Sequence, residues 1–146
     1  MLRFCWPINP LALNAWQTGK DLSYRELAGR NFFKANFVGA CIRSSGLKGT
    51  NLSKSNLAHA IIESDLKKAN LQGAKLYSVV LINAGLVGAD LRQCDLRNAL
   101  LQGADLSGAK LQGADLRGAQ YDSKTKWPLG LYAKKRGARF NLLVSP

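Results

Sequence analysis

Residues 89–121 read ADLRQCDLRNALLQGADLSGAKLQGADLRGAQY, and this run decides the fold. Leucine returns every five residues, at Leu91, Leu96, Leu101, Leu106, Leu111 and Leu116. Two places before each stands a small residue: Ala89, Cys94, Ala99, Ala104, Ala109 and Ala114. Gly, Asn or Gln closes each quintet. On an α-helix five residues turn through about 500°, which scatters the leucines around the axis. On a flat strand an odd period sends alternate leucines to opposite faces. Frequent Gly also weighs against a long helix. The period is satisfied if the chain bends after every quintet and each central leucine points inward. Four sides then close a square coil of about twenty residues, and coils stack about 4.8 Å apart through backbone hydrogen bonds. Because four sides converge on a narrow interior, the second inward position takes only Ala, Ser, Thr, Val or Cys.

Outward from this run the repeat continues in two phases. Earlier centres fall at Leu22, Leu27, Phe32, Phe37, Ile42, Leu47, Leu52 and Leu57. From Leu66 through Leu116 to Tyr121 they lie one residue earlier in phase, so one residue is missing between Leu57 and Leu66. A short unit Ala60-Ile61-Ile62-Glu63 keeps Ala60 inward and His59 at an outer corner, and is preferred. Shortening before His59 instead buries that histidine beside Ile61. Either placement makes twenty-one units, about five coils and roughly 25 Å of height. Lys20, Arg25 and Arg30 occupy small inward positions of the first coil, where burial is costly. That coil is therefore irregular, or these side chains reach outward, with Phe32 and Phe37 filling the space.

The A(D/N)LxG quintets resemble the pentapeptide-repeat family. The resemblance implies an all-β fold, a right-handed quadrilateral parallel β-helix, over roughly residues 20–123, about seven tenths of the chain. The motif is specific for fold and weakly specific for function. The organisation expected is an N-terminal cap over residues 1–19, the β-helix over 20–123, and an irregular C-terminal cap and basic tail over 124–146. Asn9-Pro10 and Gly19 bracket a short helix over about residues 10–18. It would lay Leu11, Leu13 or Trp16 over the first coil, because an uncovered solenoid end exposes core leucines and strand edges. At the far end Trp127, Leu129, Leu131 and Tyr132 are expected to close the last coil, with residues 140–146 fraying. The stretch Tyr121 to Pro128 resembles the tail that follows the last repeat in bacterial members.

The net charge of +12 is unevenly placed. Residues 1–60 carry eight Lys/Arg against two acids, residues 61–122 seven of each, and residues 123–146 six basic residues and no acid. Basic ends around a neutral middle suit nucleic acid, anionic lipid or an acidic protein, or serve only solubility. Lys134, Lys135, Arg136 and Arg139 form the densest cluster and are the candidate anion-binding residues. The cysteines, Cys5, Cys41 and Cys94, are odd in number and without framework spacing, which suggests a reducing compartment. Cys94 replaces an interior Ala and reads as an inert core thiol. The N-terminus does not read as a signal peptide, since Pro7 and Pro10 interrupt its apolar stretch. No run has the length of a membrane span, so the cytoplasm is expected.

Candidate chemistry is scarce. One histidine allows no imidazole relay, and no Cys pair has CxxC spacing. GLKGTNLSKS, residues 46–55, lacks the spacing of a phosphate loop. The expectation is no enzyme: no catalytic, cofactor-binding or metal-binding residues, no cofactor and no small-molecule substrate.

Stacking the coils assigns the outward side chains to faces. Asn31, Asn51, Asn70, Asp90 and Lys110 form one polar ladder; Asn36, Asn56, Lys75, Asp95 and Asp115 form another. Their amides and carboxylates are expected to bond nearby backbone. A third face carries Cys41, Ile61, Val80 and Leu100, with Ile82 beside them, and contiguous apolar area of this kind marks an interface. Tyr77 and Val87 lie on the adjacent faces. A homodimer seam, a surface covered by the chain's own terminal segments, and a protein-partner site all fit this face. Arg97 over Arg117, and Lys48 over Lys67, are stacked cations that suit an anion between them or plain solvation. The functional expectation is a rigid protein-interaction or scaffolding surface, with binding of nucleic acid or anionic membrane through the basic ends as the alternative. Some family members protect gyrase by resembling DNA; that role needs a strongly negative surface and is disfavoured by the charge of +12.

Overall fold

A computed structural model describes residues 19–141. The expected N-terminal helix, with Leu11, Leu13 and Trp16, lies outside the described residues, as do Cys5 and residues 142–146.

The quintets turn corners as their composition requires. In the side centred on Leu96, the Ala99 N–H donates to the Leu96 carbonyl at 3.1 Å, closing a four-residue turn. Its third residue, Asn98, sits at φ 57°, the left-handed region that type II turns demand there. Where Gly closes the quintet the same place is Gly103 at φ 69°. This explains why Gly, Asn and Gln close the units.

Corners leave one or two extended residues per side, and these pair with the coils above and below. Four parallel ladders result. One runs Asn31, Asn51, Asn70, Asp90, Lys110; a second Asn36, Asn56, Lys75, Asp95, Asp115; a third Asp21, Cys41, Ile61, Val80, Leu100, Gln120; a fourth Glu26, Gly46, Asp65, Gly85, Asp105, Lys126. The protein is a parallel β-helix. Its interior holds the central leucines from Leu47 to Leu116 and the small residues between them, all buried in one continuous cluster.

The missing residue is taken up on one side. Partners are twenty residues apart in Asp21↔Cys41 but nineteen in Asn51↔Asn70. Strand β1 (Cys41–Gly46) and strand β2 (Ile61–Asp65) pair in parallel, with a register shift between Arg43 and Gly46. Ala60 is inward and fully buried, and His59 stands at an outer corner at φ 59°. Ser64 fills the inward place after the short unit, its hydroxyl donating to the Ile42 carbonyl at 2.7 Å. The first coil keeps the regular ladder, and Arg25 and Arg30 are exposed. Of the two expectations for these cations, the outward-reaching one is what the structure has.

Beyond Tyr121 the repeat goes one side further than the quintets indicate. A six-residue step brings Trp127 to the next inward position, and Lys126 pairs with Asp105. Asp122 supports the longer step, its Oδ1 accepting from the N–H groups of Gly103, Lys124 and Thr125. The chain then leaves the ladder, makes a single 3₁₀ turn (Ala133–Arg136), and returns as strand β4 (Arg139–Phe140) beneath strand β3 (Gln120–Tyr121). Closure of this end departs from expectation. Trp127 and Leu131 pack partly against the core, but Leu129 is fully exposed and Tyr132 is 68% exposed. A 3₁₀ turn that buries only Ala133 is too small to cover a coil.

The polar ladders bond the backbone. The Oδ1 atoms of Asn31, Asn51, Asn70, Asp90, Asp95, Asp105 and Asp115 each accept the N–H two residues on. Three of these carboxylates are also gripped by the arginine two places ahead: Asp90 by Arg92, Asp95 by Arg97 and Asp115 by Arg117. The central leucine points inward, so its two neighbours emerge on the same side. The Arg117 side-chain hydrogen bond, ahead of the Arg117 backbone N–H and the charges of Arg117 and Arg97, brings the Asp115 carboxyl down to about 2. Its folded value thus lies below its unfolded one. The stability it contributes is complete above the ordinary carboxylate range and is lost as pH falls through the folded value.

Two predictions follow from this packing. Leu91→Ala, in the buried column, costs about 2–5 kcal/mol of stability through lost contact and a cavity, read by chemical denaturation. Arg117→Gln makes stability less steeply dependent on pH between about pH 4 and pH 2 than in the wild type, read by acid titration of circular dichroism.

Candidate functional site

Two parts of the surface differ from the polar ladders. The first is the column Cys41, Ile61, Val80, Leu100. Its rungs are held in register by the Ile61 N–H on the Ala40 carbonyl (2.8 Å), Val80 on Ala60 (2.8 Å) and Leu100 on Val79 (2.9 Å). Ile61, Val80 and Leu100 are half-buried, as is Ile82 in the neighbouring row. That row continues with Gln102, a buried side chain whose Oε1 has no hydrogen-bond partner. On the polar ladders, Asn or Asp at this rung accepts a backbone N–H. An aliphatic side chain offers no acceptor, so three successive coils forgo that bond.

Cys41 belongs to the column but not to its accessible part. It is 3% exposed and disulfide-bonded, whereas Cys94 is free. Burial pushes the Cys94 thiol up to about 12, and its Sγ lies 2.9 Å from the Leu71 carbonyl, so it is inert as expected. Tyr77 does not extend the apolar face. Its ring meets His59 edge-on at 5.4 Å and Arg97 at 5.6 Å, and its hydroxyl accepts from Asn98 at 3.3 Å.

The second part is the C-terminal end. Lys134, Lys135, Arg136 and Arg139 are all exposed. They are not equivalent. Arg136 Nη1 donates at 2.9 Å to the Leu111 carbonyl, which also closes a corner with the Ala114 N–H, and Lys135 Nζ lies 5.0 Å over the Tyr132 ring. Lys134 and Arg139 project alongside them. The same end carries an aromatic cluster, Tyr121 edge-on to both Trp127 (5.5 Å) and Phe140 (5.3 Å). Expectation from sequence did not place this cluster in the open, because the six-residue step to Trp127 and the return of strand β4 beneath strand β3 are not visible in the tail's composition.

The stacked arginines are not open anion sites. Arg97 and Arg117 each hold their own aspartate, at 2.8 and 2.6 Å. The Asp-Leu-Arg triplets carry that signal, since residues flanking an inward leucine must face the same way. Lys48 and Lys67 are stacked and exposed.

Comparison with solved structures finds the same architecture. A pentapeptide repeat protein (Rfr23) from the cyanobacterium Cyanothece 51142 is 26% identical over 75% of this chain and 86% of its own, with a TM-score of 0.55. A second, alr5209 from Nostoc PCC 7120, is 33% identical over 77% of this chain and 85% of its own, with a TM-score of 0.33. QnrB1, described as a plasmid-mediated fluoroquinolone resistance protein, is 16% identical over 86% of this chain and 91% of its own, with a TM-score of 0.47. Comparison with curated proteins found no match. The family model for pentapeptide repeats matches residues 45–84, 62–98 and 84–120 in eight copies. These matches span more than half of the chain, which is therefore a member of the pentapeptide-repeat family with that family's right-handed β-helix.

Proposed function

We propose that this protein is a non-enzymatic scaffold, a rigid rod of about five coils that presents the Ile61, Val80, Ile82 and Leu100 face to a protein partner, a second copy of the chain first among them. The observation that carries the proposal is the apolar column itself. Its aliphatic side chains replace residues that elsewhere bond the backbone, so local folding does not call for them. Apolar area kept in register at the surface is characteristic of interfaces. The filled interior supports a role through surfaces, since among the described residues Leu, Ile and small side chains pack it in one continuous cluster. A gyrase-protecting role is not favoured. The middle of the rod is neutral, and its Asp90, Asp95 and Asp115 carboxylates are each neutralised by a neighbouring arginine.

Leu100→Asp tests the face without disturbing the fold, because aspartate already occupies equivalent rungs at Asp90, Asp95 and Asp115. The expected result is a dimer for the wild type and a folded monomer for the variant by light scattering. A wild type that is monomeric at every concentration removes the homodimer. Capture of the same protein by wild type and variant alike would then remove the face as a partner site.

A further inference from the structure

The C-terminal end brings exposed apolar side chains and cations together. Leu129 is fully exposed, Tyr132 is 68% exposed and Phe140 is 48% exposed. Trp127, Leu131 and Tyr132 line a shallow groove of about 570 Å³ whose wall includes Lys134 and Lys135. Phe140 stands in register beneath Tyr121, its ring edge-on to that of Tyr121 at 5.3 Å. Residues 123–141, which build this end, carry six basic residues and no acid.

The charge selects the occupant. A second copy docked end to end would bring two such cationic surfaces together, which like-charge repulsion opposes. The occupant is therefore anionic, and it also accepts exposed aliphatic and aromatic side chains. A nucleic acid offers phosphates, and bases on which rings can stack, but leaves Leu129 nothing apolar to enter. An anionic bilayer takes all three kinds of group. Its headgroups attract Lys and Arg near the surface, its interface suits Tyr and Trp rings, and its acyl boundary accepts Leu and Phe. We infer that the C-terminal end of the rod is a peripheral docking surface for anionic membranes, with Leu129, Tyr132 and Phe140 entering the interface and Lys134, Lys135 and Arg139 meeting lipid headgroups. The inference uses none of the lateral apolar face and stands or falls separately from it.

The experiment is flotation of the full-length protein with phosphatidylcholine vesicles, with or without phosphatidylglycerol. Binding is expected only to the anionic vesicles and to weaken with salt. Leu129→Glu lowers it by about tenfold or more, and Leu129→Trp strengthens it. Because Leu129 is fully exposed, neither change threatens folding. Replacing Lys134, Lys135 and Arg139 together by Gln lowers it by about a hundredfold. Arg136 is left in place, since it holds the Leu111 carbonyl. Equal binding to neutral vesicles overturns the inference, as does binding indifferent to both Leu129 changes. Release by free glycerol phosphate at the same headgroup concentration would assign the site to a soluble phosphate instead. Duplex DNA bound more tightly than the vesicles, and unaffected by Leu129→Glu, would assign it to nucleic acid.

Discussion

A chain that turns a corner every five residues can bury two side chains per side, and the rest of this structure depends on that constraint. The central position takes the volume, supplied by leucine from Leu47 to Leu116 with Ile42 and Ile62 substituting. The other inward position lies where sides converge, so it takes Ala, or a small polar residue that finds a carbonyl. Thr50 donates to the Leu47 carbonyl at 2.8 Å, Ser55 to Leu52 at 2.7 Å, and Ser45 to Leu22 at 2.8 Å. A buried hydroxyl without such a partner would be costly. Corner geometry follows from the same constraint, because a turn this tight needs positive φ at its third residue. Asn98 shows that a side chain tolerates that conformation when its short amide is free to point outward.

Most of the fold was legible in the sequence because its rule is local. Period, inward size and corner residue are all visible within one quintet, so the ladders from Asn31 to Lys110 follow by counting. The short unit at Ala60 to Glu63 was legible for the same reason, since its alternative would have buried His59. What lay beyond the sequence was less local. Trp127 takes an inward place after a six-residue step that no quintet template contains, and Asp122 makes the step workable by accepting three backbone N–H groups. The exposure of Leu129 and Phe140 depends on how the tail leaves the ladder, which their own sequence does not state. Of the candidate site residues, Ile61, Val80 and Leu100 fall on one ladder because the count places them there. Cys41 shares the ladder and is buried, and Arg136 spends its guanidinium on a backbone carbonyl; neither property can be read from spacing.

Lateral faces and ends pose separate problems in such a molecule. Each coil touches only its neighbours, so a lateral face is a sum of equivalent rungs, and an end is a boundary with no neighbour. Within residues 61–122 the charges balance: Asp90, Asp95 and Asp115 bond the backbone, and the arginine two places on bonds each aspartate. The apolar column is where that economy is given up. At the C-terminal end the opposite holds, since the cations there have no acidic partners in their own segment and gather around rings the last coil leaves open.

These two surfaces meet at one rung. The apolar column runs through Leu100 and Gln120 to Arg139, and Arg139 is followed by Phe140 beneath Tyr121. The column lies along the stacking axis, while the aromatic cluster closes that axis. A rod set down on its C-terminal end therefore carries the Ile61 to Leu100 column perpendicular to the supporting surface. The residues proposed for docking at the end, Leu129, Tyr132 and Phe140, are distinct from those of the proposed interface, Ile61, Val80, Ile82 and Leu100. The solenoid supplies the stiffness that makes this geometry meaningful, because each rung is bonded to the next through its backbone and the angle between face and end is set by the stack itself.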